Sequence, residues 1–214
     1  MQKKYKIQVP NKHYFENYDD LKRWISYFYQ INEVKQLKPK NVLEVGIGNK
    51  TTSNYLKQNK IKVDTCDFDK TLKPDYVANI WNLPFKNDSY DVILACEILE
   101  HIPWQDINMT LKELHRVSKK YVIISIPYHG ANFEIILKFP LINTLFKTPF
   151  ISLFFRIPHF FMKSKNKKEH YWEMGEKKYS KRKIKSTFKK YFKILKEVRP
   201  ILNSYHHFFI LAKK

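Results

Sequence analysis

Val42-Leu43-Glu44-Val45-Gly46-Ile47-Gly48, residues 42–48, is the stretch on which the reading of the fold turns. Its apolar run reads as a strand buried on both faces, as in the middle of a parallel sheet. Gly46 and Gly48 then let the chain turn sharply where side chains would block it. Thr51 to Gln58 reads as a helix, whose unpaired N–H groups and positive dipole end lie where the strand delivers a ligand. A second apolar strand, Ile61 to Cys66, ends at Asp67, twenty-one positions after Gly46. A carboxylate there can accept both hydroxyls of a ribose. Together these features describe a nucleotide-type cofactor site. The dinucleotide fingerprint is not met, because its third glycine would fall at Thr51.

The order continues with Asn79-Ile80-Trp81-Asn82-Leu83-Pro84-Phe85, the apolar strand Tyr90 to Cys96, and Glu97-Ile98-Leu99-Glu100-His101. A helix and the strand Tyr121 to Pro127 follow. In these blocks, over residues 14–127 and more loosely over 169–214, the chain resembles the class I S-adenosylmethionine-dependent methyltransferases. The resemblance implies S-adenosylmethionine as cofactor. Glu44, Gly46 and Gly48 match the loop that holds the methionine end of the cofactor. Asp67 matches the acid that binds the ribose, with Phe68 after it beside the adenine. Asn79 stands where the family has an aspartate accepting from the adenine amino group, which turns a charge-assisted bond into a neutral one of about half the strength. Glu97 matches the segment lining the sulfonium side of the pocket. Lys50 replaces the family's third glycine and brings a cation toward a cationic cofactor, unless its side chain points outward.

The fold expected is α/β: a Rossmann-like, doubly wound, mostly parallel sheet in one domain spanning 1–214, with the family's antiparallel last strand. An aromatic-rich N-terminal helix is expected over about 15–37, ending before Pro39. Strands are expected at 41–45, 61–67, 75–79, 90–96, 120–126, 192–198 and 204–212. Helices are expected at 51–59, at 103–117, and from a Ser180 cap to about Tyr191. The linker after Asp69 is short and broken by proline, so one crossover helix of the family pattern is expected to be reduced.

The net charge of +20 is unevenly placed. Residues 40–127 hold twelve basic and eleven acidic groups, whereas 163–199 hold fifteen and four. The cofactor core is thus nearly neutral and the C-terminal third basic. That patch suits nucleic acid or an anionic membrane surface, or else lysines merely solvating exposed faces. Met1 to Asp20 is too polar for a signal peptide, and Cys66 and Cys96 end core strands, which gives the expectation of a cytoplasmic protein, at most peripheral to the inner membrane face. The eight histidines show no metal-ligand spacing, so no metal is expected. His206 and His207, neighbours on a strand, should face opposite ways.

Residues 128–178 form an insertion between the fifth strand and the last helix, where the family builds substrate specificity. Lys138-Phe139-Pro140, Lys147-Thr148-Pro149 and Arg156-Ile157-Pro158 recur with a nine-residue period. They suggest short, proline-started helical turns with one apolar face. The segment reads either as a lid packed on the core or as an interfacial patch dipping into lipid. It ends in Glu169-His170-Tyr171-Trp172-Glu173, and the chain closes on Tyr205-His206-His207-Phe208-Phe209. Such aromatic and histidine clusters suit a ring or polar small molecule and are equally common in packed cores.

The expected activity is methyl transfer to a small-molecule acceptor. An RNA methyltransferase and a catalytically inactive binding module are the alternatives. Where the acceptor is a hydroxyl, a general base helps, and His129, just after the fifth strand, is the candidate. His101 reads as a cap or packing residue, or as catalytic.

Overall fold

The computed structural model describes residues 9–16, 18–141, 143–144, 147–157 and 169–214. Strand β1 (Asn41–Val45) lies in the middle of a seven-stranded sheet. It is flanked in parallel by β2 (Lys62–Asp67) and β4 (Tyr90–Cys96). The full order is β3-β2-β1-β4-β5-β9-β8, with β3 (Tyr76–Val77) at one edge. Strand β5 is Ser118–Pro127, and β9 (His206–Lys213) runs antiparallel to both β5 and β8 (Phe192–Val198). The expected mostly parallel sheet with an antiparallel last strand is therefore the observed one.

Alternate residues of the central strands enter opposite cores, as the pleat requires. Val42, Val92, Leu94, Ile123, Phe208 and Ile210 pack with Val34 of helix α1 (Leu21–Gln36) and Leu56 of α2 (Thr51–Gln58). Leu43, Ile93, Val122, Ile124, Phe209 and Leu211 pack with Leu111 and Leu114 of α3 (Ile107–Val117) and Ile184 and Phe188 of α4 (Lys181–Phe188). With both faces covered, the strands read as continuous apolar runs.

The expected helix 15–37 is shorter by its first turn and a half. Asp20 caps α1, its carboxylate accepting from the Arg23 N–H at 2.8 Å. Residues Asn11–Tyr14 form a separate 3-10 turn, in which His13, Tyr14 and Tyr18 meet edge to face. Between β2 and β3 only a 3-10 turn, Lys70–Leu72, replaces the crossover helix, as the proline-broken linker predicts.

The insertion differs from its expectation. Its described part includes a hairpin of β6 (Ala131–Leu137) and β7 (Ile151–Ile157), paired antiparallel from Ala131↔Ile157 to Leu137↔Ile151, and helical residues 143–144, just after Pro140, in the connection. Alternating apolar residues of β-branched and aromatic type favour strands there, and Pro140 and Pro149 fall in the connection. Pro158 and Phe160, the third unit of the nine-residue period, lie outside the described residues. Among the described residues no helix is long and apolar enough to cross a membrane.

Candidate cofactor and acceptor site

The carboxyl ends of β1, β2 and β4 open into a cavity of about 300 Å³, at the small end of ordinary ligand sites. The chain leaves β1 through Gly46 at φ +77° and Gly48 at φ +48°, a left-handed path that favours glycine. A Cβ at Gly46 would sit 3.0 Å from the Ile98 side chain, and one at Gly48 would touch the Tyr14 ring at 3.4 Å. The turn is thus held between β4's exit and the N-terminal segment. Lys50 takes the left-handed conformation at φ +64°, which explains the family's glycine there. Its ammonium donates to the Lys73 carbonyl, and the residue does not line the cavity.

Asp67 ends β2 and is pinned by the turn. Its Oδ2 accepts from the Ile47 N–H at 3.0 Å and its Oδ1 from the Asp69 N–H at 2.9 Å. Each oxygen keeps acceptor capacity for the cavity. Burial pushes the carboxyl upward in pKa, and these two hydrogen bonds pull it back. Glu44, on β1, lines the same cavity. Its Oε2 is buried without a hydrogen-bond partner, and burial, partly offset by Ser53, raises its pKa to about 7. Phe68 is exposed at the rim, and Asn79 sits in a small bridge with Asn82. All seven residues expected at the cofactor, namely Glu44, Gly46, Gly48, Asp67, Phe68, Asn79 and Glu97, line this one cavity.

Glu97 follows β4 at φ +53°. Its Oε1 accepts from the Ser125 hydroxyl at 2.7 Å, and its Oε2 lies 3.4 Å from His206 Nε2. Burial raises its pKa to about 7. His206 is held at about 3 by burial and turns to Ser26 on α1, 2.8 Å away, while His207 faces Glu197 on the other side. The two histidines diverge as expected.

His129 is placed elsewhere. The backbone of Tyr128 and His129 pairs with Met174, and His129 is not among the cavity's lining residues. Its Nδ1 lies 3.6 Å from Glu173 Oε2, and that carboxylate's other oxygen accepts from His170 and Tyr205 at 2.8 Å each. Glu173 stands between His129 and the cavity. The short pairing with Met174 is what turns His129 away from the position expected of a general base.

Several further residues line the cavity, of which the sequence had singled out His101 as a cap, packing or catalytic residue and His170 within an aromatic cluster. Tyr14, Tyr18, Arg23 and Tyr27 form a wall from the N-terminal segment and α1. Glu100, His101 and His170 form another, and their ligand atoms lie within 4.8 Å of one another. Glu100 is fully buried with neither carboxylate oxygen hydrogen-bonded, and burial first, then Glu97, drives its pKa well up. His101 is lowered to about 4 by burial and by His170. The signal was the acid-x-x-acid-histidine run 97–101, which looks like a solvated helix start until β4 is seen to deliver it inward. No described residue of the β6–β7 hairpin lines the cavity, and among the described residues of the insertion Glu169 and His170 do. Described residues of the N-terminal segment, Tyr14 and Tyr18 among them, line it too.

Residues 43–126 match a family model described as a methyltransferase domain. No curated protein matches the chain. Solved structures do. A Burkholderia thailandensis 1,6-didemethyltoxoflavin-N1-methyltransferase, solved with 1,6-didemethyltoxoflavin and S-adenosylhomocysteine bound, matches at TM-score 0.61 and 12% identity over 95% of this chain and 84% of that one. An S-adenosylmethionine-dependent methyltransferase from Clostridium acetobutylicum matches at 0.58 and 12% over 94% and 95%. The magnesium protoporphyrin IX methyltransferase of Synechocystis, with S-adenosylhomocysteine bound, matches at 0.56 and 14% over 90% and 83%. At these identities the likeness establishes the fold.

Proposed function

We propose that this chain, whose residues 43–126 match a methyltransferase-domain model and whose fold is that of solved S-adenosylmethionine-dependent methyltransferases, methylates a small-molecule acceptor at an anionic membrane surface. The observation that carries the cofactor side is the buried Asp67 carboxylate, fixed by Ile47 and Asp69 beside a left-handed glycine turn. The residues fit the group. Asp67 offers acceptors to a ribose, Asn79 an acceptor to an adenine amino group, and Phe68 a ring face. Glu44, a buried acid with an unsatisfied oxygen, suits a cationic ammonium end. When bound, S-adenosylmethionine supplies a methyl group made electrophilic by a sulfonium. The protein's work is then alignment and exclusion of water. Tyr14 and Tyr18 close the cavity over Gly48, and the wall of Glu97, Glu100 and His170 faces the acceptor. A concave cavity of about 300 Å³ suits a small molecule better than a polymer strand.

The membrane side rests on the hairpin. Phe133↔Phe155, Ile135↔Leu153 and Leu137↔Ile151 are directly opposed pairs on one face, and all six side chains are exposed. Between Glu134 and Glu169 the sequence carries seven basic residues and no acidic one. An apolar face on a segment of basic sequence suits an anionic bilayer. Phe154, by contrast, lies inward beneath the guanidinium groups of Arg156 and Arg199.

Incubation with methyl-labelled S-adenosylmethionine and cell extract tests the activity. Label should enter small, organic-extractable molecules and not RNA, and Asp67→Ala should abolish the transfer. Co-sedimentation with phosphatidylserine vesicles tests the surface. It should weaken as salt rises and vanish when Phe133, Leu153 and Phe155 become serine, while salt-insensitive or hairpin-independent sedimentation contradicts this part.

A further inference from the structure

Glu100 sits in the 3-10 turn after β4 with no exposure, and neither of its oxygens has a hydrogen-bond partner. Among the described residues no side chain or backbone group makes a full hydrogen bond to either oxygen, so an ionised carboxylate there is poorly compensated and a protonated one leaves a donor and an acceptor unmet. Beside it stand two imidazoles, of His101 on the same turn and of His170 from the end of the insertion, with ring centroids 4.9 Å apart. His101 Nδ1 is 2.9 Å from the Glu169 carbonyl oxygen, and His170 Nδ1 is 2.8 Å from Glu173 Oε1. A proton on Nδ1 in each of these bonds puts the ring's lone pair on Nε2. Carboxylate or carbonyl behind a histidine is the arrangement that orients metal-ligating imidazoles.

We infer that Glu100, His101 and His170 bind a divalent transition cation, with Glu173 and the Glu169 carbonyl positioning the two histidines. Two nitrogens and one carboxylate favour zinc, manganese, cobalt or iron(II) over magnesium and calcium, which prefer oxygen ligands. Three protein ligands leave coordination positions open, as in catalytic rather than structural sites. Glu97 lines the same cavity as the three ligands. For the reaction, this deepens the proposed function and rests on it: the acceptor is then an oxygen nucleophile, a hydroxyl whose oxygen binds the cation. The cation lowers the hydroxyl's pKa and its proton leaves to water. The oxygen lone pair forms the C–O bond while the C–S bond breaks, its electron pair staying on sulfur. Cation binding itself does not depend on the cofactor reading.

Calorimetric titration of the metal-free full chain with cobalt(II) or manganese(II) alone at neutral pH is the test. One saturable site is expected, weakened at least tenfold by Glu100→Gln and by His170→Gln. S-adenosylhomocysteine affinity, measured on the same samples, reports whether each variant is folded. In the wild-type chain, manganese should broaden the ring proton signals of His101 and His170 and leave those of His115 sharp, a readout that needs no variant. Cation binding without S-adenosylhomocysteine binding supports this site and counts against the cofactor reading alone. The inference is overturned if 1 mM cobalt or manganese finds no saturable site, or if broadening spares both histidines.

Discussion

Lys50 shows how a single position can break a family's pattern without breaking the site. Its left-handed backbone, φ +64°, strains any residue with a Cβ, yet its side chain is drawn off to the Lys73 carbonyl. Lys50→Gly should therefore raise unfolding stability by about 0.5–1 kcal/mol and leave S-adenosylhomocysteine affinity unchanged. Chemical denaturation and calorimetry measure the two, and tighter cofactor binding would place the ammonium at the site after all. Gly46, Gly48 and Asp67 were legible in the sequence because strand, turn and acid follow one another along the chain. The Glu100, His101 and His170 group was not, since sixty-eight residues separate His101 from its partner Glu169 and only the return of the insertion joins them. His129, expected at the cavity from its position just after β5, is instead paired through its backbone with Met174 and is not among the lining residues.

At the scale of elements, the long apolar strands were readable almost to the residue, because burial on both faces leaves no competing pattern. The insertion was read in part: helical residues 143–144 follow Pro140 as its prolines suggested, whereas the alternation in 131–137 and 151–157 makes strands there. Helix α1 starts late because Asp20 offers a cap that a continuous apolar pattern hides. The junction of α4 with β8 and β9 makes a pH forecast. Glu197 on β8 is partly buried, which would raise its pKa, but hydrogen bonds from Lys181 and Lys185 of α4 and from His207 of β9 outweigh that and lower it from 4.5 to about 2. A carboxylate depressed in the folded state adds stability above its unfolded pKa and loses it as pH falls through the folded value. The stability gap between wild type and Glu197→Gln should thus be constant above about pH 5 and close as pH falls from 4.5 to about 2. Urea unfolding across that range measures it, and a gap unchanged down to pH 2 would remove Glu197 from the junction's acid response.

On the whole molecule the functions are laid out in order across the sheet. Carboxyl ends of β1, β2 and β4 present the residues proposed for the cofactor, the turn after β4 meets the returning insertion at the proposed acceptor wall, and the exposed apolar face of the hairpin lies outside the cavity lining. The N-terminal aromatics Tyr14 and Tyr18 line the cavity as well, whereas the sequence reading looked for a lid or an interfacial patch in the insertion. This arrangement stands on one claim, that the cavity beside Asp67 takes S-adenosylmethionine and its demethylated product. Titrating S-adenosylhomocysteine into the wild-type chain and into Asp67→Ala by calorimetry tests it most directly. The account predicts one molecule bound per chain, with the variant weaker by about 1–3 kcal/mol through lost hydrogen bonds to a charged acceptor. No binding to the wild-type chain, or equal affinity in the two, would contradict it.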